Sequence, residues 1–196
     1  MSSSSRPDII LASTSAYRRQ LLERLQLPFR ALPPGVEERR LAGEKTDALA
    51  LRLAEEKALA ISRQYPDAVV LGSDQTASVD GELLEKPGCA ARAEQQLLLC
   101  SGRQLSFYTA VSLASGGETR GTRVVTTEVA FRALSAAEIS EYVRRDQPLD
   151  CAGSFRWEGL GICLFRSLRS DDPTALEGLP LIATRVLLHD QGIRAL

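Results

Sequence analysis

The chain has 196 residues, of which 44% are hydrophobic and 5% aromatic, and its formal net charge is −1 at pH 7. This length suits one well-buried core, and the near-neutral charge gives no overall field that would attract nucleic acid or an anionic membrane. No apolar run reaches the roughly 18 residues of a spanning helix, and the N-terminal MSSSSRPD has no apolar region for export.

These properties predict a soluble, intracellular protein with a single domain at residues 8–196 that binds neither nucleic acid nor a membrane. The serine-rich residues 1–7 are expected to form a disordered tail.

The elements of this domain begin with a predicted strand and helix. DIILAS, residues 8–13, is a short apolar run that suits a buried strand, and Ser15 can cap the helix that follows. The apolar stripe of this helix consists of Tyr17, Leu21, Leu22 and Leu25.

The middle of the chain predicts a helix, a hairpin and a second helix. After the Pro- and Gly-rich link FRALPPGVEE, a helix starts near Thr46 and runs to about Gln64. AVVLGSDQTASV is a buried strand, and the turn signal Asp80-Gly81 predicts that residues 75–86 fold back as a small hairpin. A helix around residues 89–101 ends at a glycine, Gly102.

The C-terminal half predicts long strands and two further helices. The β-type runs QLSFYTAVSLAS and TRVVTTEVAFRAL are joined across Gly116-Gly117. Ser135 and Glu138 form a capping box for AAEISEYVRRD, and Pro180 suits the first turn of a last helix that stops at Gly192. The pattern predicts an α/β fold: a mixed sheet with long central strands, flanked by helices, with a substrate cleft beside it.

The cysteines and the histidine do not form a metal-binding pattern. The four cysteines are widely spaced, without a C-x-x-C pair, which argues against a zinc site and a disulfide framework. They are Cys89, Cys100, Cys151 and Cys163. His189 has no second histidine with which to form a His-rich metal site. We therefore expect ordinary reduced thiols.

Hydroxyl and guanidinium groups gather where the first predicted helix begins. They belong to Ser13, Thr14, Ser15, Arg18 and Arg19. Positive side chains are unfavourable beside the partial positive charge of a helix N-terminus unless an anion compensates. Free helix-start N–H groups and guanidinium forks together suit an anion site. In the alternative reading, the arginines point to solvent and pair with carboxylates such as Glu23.

A carboxylate, Asp74, follows the apolar AVVLG at the end of a strand, where α/β folds place ligands and catalytic groups. Glu37 and Glu38 close a Pro/Gly loop and could approach it, giving oxygen ligands suited to Mg²⁺ or Mn²⁺ beside a phosphate. Alternatively, both glutamates are solvated loop charges. Taken alone, Lys57 and Lys86 are typical of exposed surface lysines.

Six segments follow one another as they do in the Maf nucleotide pyrophosphatases: LASTSAYRRQLLERL, ALRLAEEKA, VVLGSDQ, EKP, SGRQLSFYTAV and DCAGSFRWEG. The chain resembles this family from Asp8 to Gly192, and it most closely resembles the YceF-type subgroup, which is associated with hydrolysis of 7-methyl-GTP. The resemblance implies an ITPase-like α/β fold, a divalent metal cofactor (Mg, Mn or Co), a cytoplasmic location and a homodimer.

The resemblance also implies a role for individual residues. Asp74 corresponds to the family's proton acceptor, and with Glu38 it would hold the metal. The phosphate chain would be bound by Ser13, Arg18, Arg19, Lys57 and Lys86. Specificity would lie with Tyr17, Gln75 and Glu158, where the sister group that prefers dTTP and UTP has arginine, threonine and glutamine. Some YceF-type members carry tryptophan at the position of Tyr17.

The implied reaction is attack of water on the α-phosphorus, which releases a nucleoside monophosphate and pyrophosphate. Two alternatives stay open: a nucleotide-binding regulator of cell division or septum formation, and a pyrophosphatase with broad preference for modified nucleotides. Asp74 together with Glu38, Lys57 and Lys86 favours an enzyme, because binding alone does not need a carboxylate that activates water.

Overall fold

A computed structural model describes residues 8–196, so the predicted tail at residues 1–7 lies outside the described part of the chain. Its strands are β1 (Ile9–Ala12), β2 (Phe29–Leu32), β3 (Val69–Val79), β4 (Glu82–Leu84), β5 (Gln104–Ser115), β6 (Glu118–Phe131) and β7 (Phe165–Ser170). Its α-helices are α1 (Ala16–Glu23), α2 (Thr46–Ser62), α3 (Ala90–Cys100), α4 (Ala136–Asp146) and α5 (Leu181–Asp190). Short 3₁₀ turns occupy Ala152–Ser154, Leu160–Leu164 and Ala175–Glu177.

The strands form one mixed sheet in the order β2-β1-β3-β5-β6-β7, with β4 paired to β3. β1 is parallel to β2 and β3, whereas the other pairs are antiparallel. The hairpin between β5 and β6 turns at Gly116 and Gly117, whose φ angles of 63° and 76° suit a tight turn that favours glycine. The α/β class, the mixed sheet and the long central strands are therefore confirmed.

Most predicted helix boundaries are confirmed. The Ser15 side chain accepts from the backbone N–H of Arg18, and both hydrogen bonds of the Ser135/Glu138 capping box are present. Pro180, expected in the first turn of α5, is instead the residue before that turn and has extended backbone angles (φ −76°, ψ 100°).

Two strands were not predicted. FRAL, assigned to a link, is β2 and pairs with β1; β7 pairs with the end of β6. Both are short strands at the edges of the sheet and largely half-exposed, so their extended state depends on hydrogen bonds to a neighbouring strand rather than on local pattern.

Apolar side chains on one face of the sheet form two clusters. The phenylalanine cluster lies with α3 and α4 and contains Phe107, Phe131 and Phe155, with Phe165 packed against it. The leucine cluster, under α1 and α5, includes Leu11, Leu21, Leu22, Leu71, Leu113 and Leu188. Polar residues separate the clusters along β3 and β5: Ser73, Gln75 and Thr109.

Helix α2 packs on the opposite face, in close contact with β3. A Cβ at Gly72 would lie 2.3 Å from the Ala54 carbonyl oxygen and 2.5 Å from the Ala58 nitrogen, so only glycine permits this approach. The same packing brings Lys57 of α2 to Asp74, two residues beyond Gly72 on the same face of β3.

Candidate active site

A cleft opens beside the middle of β3. On one edge, β3 pairs with β1 at residues 69–72 and with β4 at residues 77–79, while β5 covers the other edge. Within residues 8–196, Ser73–Thr76 therefore have no strand partner on the first edge. Successive side chains of a strand point to opposite faces, so Asp74 and Gln75 enter the cleft from different faces of the sheet.

An ammonium group between two carboxylates forms the centre of the cleft. Lys57 Nζ lies 2.6 Å from Asp74 Oδ1 and 2.5 Å from Glu38 Oε1. Lys57 is 3% exposed and Asp74 6% exposed, whereas the Glu38 side chain is 53% exposed. Of the two glutamates expected to approach Asp74, Glu38 does so, whereas Glu37 is exposed and does not line the cleft. The reading of Lys57 as an exposed surface lysine is wrong. Its place on the buried face of α2 is the physical reason.

The pKa values of the two carboxyl groups shift in opposite directions. Burial raises the pKa of Asp74, and the charges of Lys57 and Arg18 only partly offset this effect. At Glu38, burial also favours the neutral form, but the hydrogen bond and charge of Lys57, with Lys86 and Arg18, lower the pKa overall. Asp74 is consequently a stronger base than an ordinary aspartate, and Glu38 a weaker base than an ordinary glutamate.

The start of α1 forms one end of the cleft. The Ser13 hydroxyl accepts a hydrogen bond of 3.1 Å from the Ser15 N–H, and Lys86 reaches this end from the segment after β4. Arg18 Nε donates to the Gly178 carbonyl oxygen at 2.9 Å. Burial lowers the pKa of the Arg18 guanidinium, although Asp74 and Glu38 act in the opposite direction; it stays charged at neutral pH. These groups form a cationic end of the cleft.

Arg19 does not join this group. It lies one residue further along the helix, which is a rotation of about 100°, and its side chain is 65% exposed and 3.5 Å from Glu23 Oε1. Arg19 is not among the residues that line the cleft. Of the two alternatives considered for these arginines, the one in which the side chain points to solvent and pairs with Glu23 applies to Arg19, whereas Arg18 faces the cleft.

The predicted specificity residues line the other end of the cleft. Tyr17, expected in the apolar stripe of α1, is 37% exposed and faces the cleft rather than the core. Glu158 is exposed at the same end. Gln75 Nε2 donates to Thr109 Oγ1 and Ala175 O at 2.9 Å, so the amide oxygen is the part of Gln75 left for a ligand.

The prediction overlooked three features of the cleft wall. The first is an aromatic surface formed by Phe107, Phe155 and Trp157. The second is Arg156, which also lines the cleft and whose pKa is raised by a hydrogen bond to the Tyr17 hydroxyl. The third feature is the carbonyl loop, residues 171–180, whose backbone oxygens bind Arg18 and Gln75. Phe155 and Trp157 belong to the motif DCAGSFRWEG, and Phe107 to SGRQLSFYTAV. The positive φ angles of Gly153 and Ser154, 75° and 61°, could not be read from the motif.

Two carboxylates in the cleft that could bind a metal ion, those of Glu38 and Asp74, lie close together because both contact the Lys57 ammonium group. Across residues 8–196 no group of three or more His, Cys, Asp or Glu side chains could hold a metal ion. Mg²⁺ is commonly bound through one or two carboxylates plus substrate phosphates. Two carboxylates beside the cationic end of the cleft therefore fit a divalent cation whose remaining ligands come from a bound phosphate group or water.

The other sequence expectations concern cysteines and membranes. All four cysteines are free, as predicted. No helix among residues 8–196 is long and apolar enough to cross a membrane.

The fold and the cleft define an α/β protein whose cleft has a cationic end and buried carboxylate and ammonium groups at its centre. A family model described as "Maf-like protein" matches residues 8–191, and the chain belongs to the Maf family. A "7-methyl-GTP pyrophosphatase" from Xanthomonas oryzae pv. oryzae (strain MAFF 311018) is 55% identical over 186 residues, which cover 95% of this chain and 97% of that protein.

A protein of the same name from Bordetella avium (strain 197N) is 50% identical over 187 residues, 95% of this chain and 94% of that protein. Among solved structures, a HAM1 protein from Coxiella burnetii is 17% identical, with a TM-score of 0.46 over 64% of this chain and 73% of that chain.

Proposed function

We propose that the protein hydrolyses 7-methyl-GTP to the nucleoside monophosphate and pyrophosphate, and so removes a modified nucleotide from the pool. The observation that carries the proposal is the buried Asp74 carboxylate at the open edge of β3, beside the cations of Lys57 and Arg18. The names of the Xanthomonas and Bordetella relatives, which match nearly the whole chain, support the choice of substrate.

In this proposal the cationic end of the cleft binds the triphosphate. Arg18, Lys86 and the free N–H groups at the start of α1 offset its negative charge. Asp74 accepts the proton of the water that attacks the α-phosphorus, and the raised pKa makes this carboxylate a better acceptor than an ordinary aspartate. The bond from the α-phosphorus to the bridging oxygen breaks, and pyrophosphate leaves with that oxygen.

The other end of the cleft selects the base. Methylation at N7 gives guanine a delocalised positive charge, which favours stacking on Tyr17 and attraction to the Glu158 carboxylate. Glu158 accepts from the guanine N1–H and N2–H₂ together, a pairing that thymine and uracil do not offer. The proposal therefore assigns discrimination to charge and hydrogen bonding at this end.

The proposal includes a divalent cation, Mg²⁺, Mn²⁺ or Co²⁺, held by Asp74 and Glu38. When bound, such a cation polarises phosphoryl oxygens and offsets charge that develops on them. Lys57 already pairs with both carboxylates, but its single positive charge offsets only one of the two negative charges, so it would share the carboxylates with the cation. The homodimer and the cytoplasmic location stay predictions.

Asp74→Asn tests the assignment of the proton acceptor. A neutral amide cannot take the proton, so kcat for 7-methyl-GTP should fall by about 10²–10⁴-fold. The matched control is Asp80→Asn, in the turn after β3, where the carboxylate pairs with the exposed Arg103. The control should keep the wild-type kcat. For the wild-type protein and both variants, kcat is measured after bound metal has been removed with a chelator and Mg²⁺, Mn²⁺ or Co²⁺ has been added back.

The products and the metal dependence give separate outcomes. Release of orthophosphate and a nucleoside diphosphate would exclude attack at the α-phosphorus. Full hydrolysis of 7-methyl-GTP after bound metal has been removed with a chelator would exclude a requirement for a divalent cation. A wild-type protein that binds nucleotides without hydrolysing them would favour the regulator, and equal rates on a panel of modified nucleotides would favour the broad-specificity enzyme.

A further inference from the structure

The carbonyl loop holds side chains from both ends of the cleft. Its Gly178 carbonyl oxygen accepts from Arg18 Nε, and its Ala175 and Leu176 carbonyl oxygens accept from Gln75 Nε2 at 2.9 and 3.2 Å. Arg18 belongs to the cationic end and Gln75 to the base end. One backbone segment therefore orients residues of both functions.

The same loop oxygens also bind the sheet. The Thr109 hydroxyl donates to Ala175 O at 2.9 Å. The Ser73 hydroxyl lies between two acceptors, Ala110 O of β5 at 2.7 Å and Gly178 O of the loop at 2.9 Å. Ser73 and Thr109 lie between the two apolar clusters, where unpaired hydroxyls would be costly. The position of the loop over this polar strip consequently depends on where its carbonyl groups point.

A buried carboxylate, Asp172, holds the loop in this shape. It is 2% exposed and has no cationic partner among the described residues. Oδ1 accepts from the Thr174 hydroxyl at 2.8 Å and from its N–H at 3.2 Å. Oδ2 accepts from the N–H groups of Ile182 and Ala183 at 2.7 and 3.2 Å.

Asp172 thus joins the two ends of the carbonyl loop. Pro180 stands at the cap position of α5 but makes no side-chain cap, and Asp172 supplies it from the other end of the loop. Thr174 completes a ring of hydrogen bonds that links Asp172 to the start of α5. Its hydroxyl accepts from the Leu181 N–H at 2.8 Å and contacts the Leu179 carbonyl oxygen at 2.9 Å. The loop between these fixed points carries the carbonyl groups that bind Arg18 and Gln75.

We propose that Asp172 is a positioning residue of the active site: by fixing the carbonyl loop, it orients Arg18 toward the phosphate chain and Gln75 toward the base. This inference rests on the proposed function, because that function assigns the roles of Arg18 and Gln75. Asp172 itself is absent from the residues that line the cleft. A purely structural cap would stabilise α5 without affecting how the enzyme treats its substrates.

Two variants separate these roles. In Asp172→Asn, whichever way the amide turns, one of the two acceptor positions becomes a donor, so the ring opens on one side. Thr174→Val removes the hydroxyl and keeps the side-chain shape, while the Asp172 bonds to α5 remain. The control is Ser135→Ala, which removes the side-chain cap of α4. None of the residues of α4, Ala136–Asp146, lines the cleft.

The measurements are thermal stability and the kcat and KM values for 7-methyl-GTP and GTP. All three variants should lose stability, because each loses helix-cap or loop hydrogen bonds. Asp172→Asn and Thr174→Val should also lower kcat/KM for 7-methyl-GTP by about ten- to a hundredfold, since a misplacement of about 1 Å has effects of this size. Both variants should also lower the ratio of kcat/KM for 7-methyl-GTP to kcat/KM for GTP. Ser135→Ala should leave kcat/KM and this ratio unchanged.

The inference is overturned if Asp172→Asn and Thr174→Val behave like Ser135→Ala, with lower stability but unchanged kcat/KM and preference. It is also overturned if both variants keep the preference and lose only kcat. Failure of the proposed function gives a different result, a wild-type protein that does not hydrolyse 7-methyl-GTP. If Asp172→Asn does not fold, the comparison of Thr174→Val with Ser135→Ala decides the matter.

Discussion

At the scale of single residues, Lys57 is a buried charged residue at the centre of the cleft. Its ammonium group is buried and shared by Asp74 and Glu38. Taking such charges out of water is costly, and removal of one partner from a buried pair typically costs about 3–5 kcal/mol. A well-packed apolar residue would stabilise the fold as well, so we attribute the charged group to the proposed chemistry of the cleft.

Glu158→Gln tests the selection of the base at this scale. The change removes the negative charge and one acceptor, so the ratio of kcat/KM for 7-methyl-GTP to that for dTTP or UTP should fall by about 10–100-fold. This is the size expected for hydrogen bonds to a charged group. Because Glu158 is exposed, thermal stability should stay unchanged.

The control for this prediction is Glu82→Gln, an exposed glutamate of β4 that does not line the cleft. It should keep the wild-type ratio. An unchanged ratio in Glu158→Gln, or a wild-type preference for dTTP or UTP, would contradict this account of base selection and leave the pyrophosphatase reaction itself untouched.

At the scale of elements, the N-termini of α1 and α4 are capped differently. Both have a serine cap, but α4 has Glu138 in its first turn, whereas the first turn of α1 has no acidic residue. Glu138 therefore offsets the partial positive charge of α4. The first turn of α1 has no such carboxylate, and in the proposed function the phosphate chain of the substrate offsets its partial positive charge.

Glu138→Gln tests the electrostatic part of the α4 cap. The Ser135 N–H, Arg132 and the Ser135 hydroxyl lower the pKa of Glu138 from 4.5 to about 2. Since the pKa is depressed in the folded state, the stabilisation is present above pH 4.5 and is lost as the pH falls toward 2. Wild-type protein should melt at a higher temperature than Glu138→Gln at pH 7, and the difference should shrink between pH 4.5 and 3. A constant difference over this range would contradict the assignment.

At the scale of the whole molecule, one sheet supports both apolar clusters and the cleft between them. The clusters lie on the same face, and the polar strip of Ser73, Gln75 and Thr109 with the carbonyl loop connects them. β3 and β5 run through both clusters without interruption. We therefore expect the clusters to unfold together.

Urea denaturation tests this expectation, which is also a test of the predicted single domain. Trp157, the only tryptophan, packs against the phenylalanine cluster, so its fluorescence reports that side of the molecule. Far-UV circular dichroism also reports α1 and α5, which lie with the leucine cluster. Both signals should change in one transition with the same midpoint. Two separate midpoints would indicate two independent units.

The sequence by itself determined the features that depend on neighbours along the chain. Turn glycines, helix caps and hydrophobic periodicity predicted the long strands and all five helices, because these signals act within a few residues. The resemblance to the Maf family identified Asp74, Glu38 and Arg18, which the structure brings into one cleft.

Only the tertiary structure decided what depends on distant partners. Lys57 is buried because Gly72 lets α2 approach β3, and Arg18 and Arg19 diverge because only one side of α1 faces the cleft. β2 and β7 are strands because longer strands lie beside them. The carbonyl loop reaches Arg18 across 160 residues of sequence, and a local pattern contains no information about such a contact, since packing of the whole chain creates it.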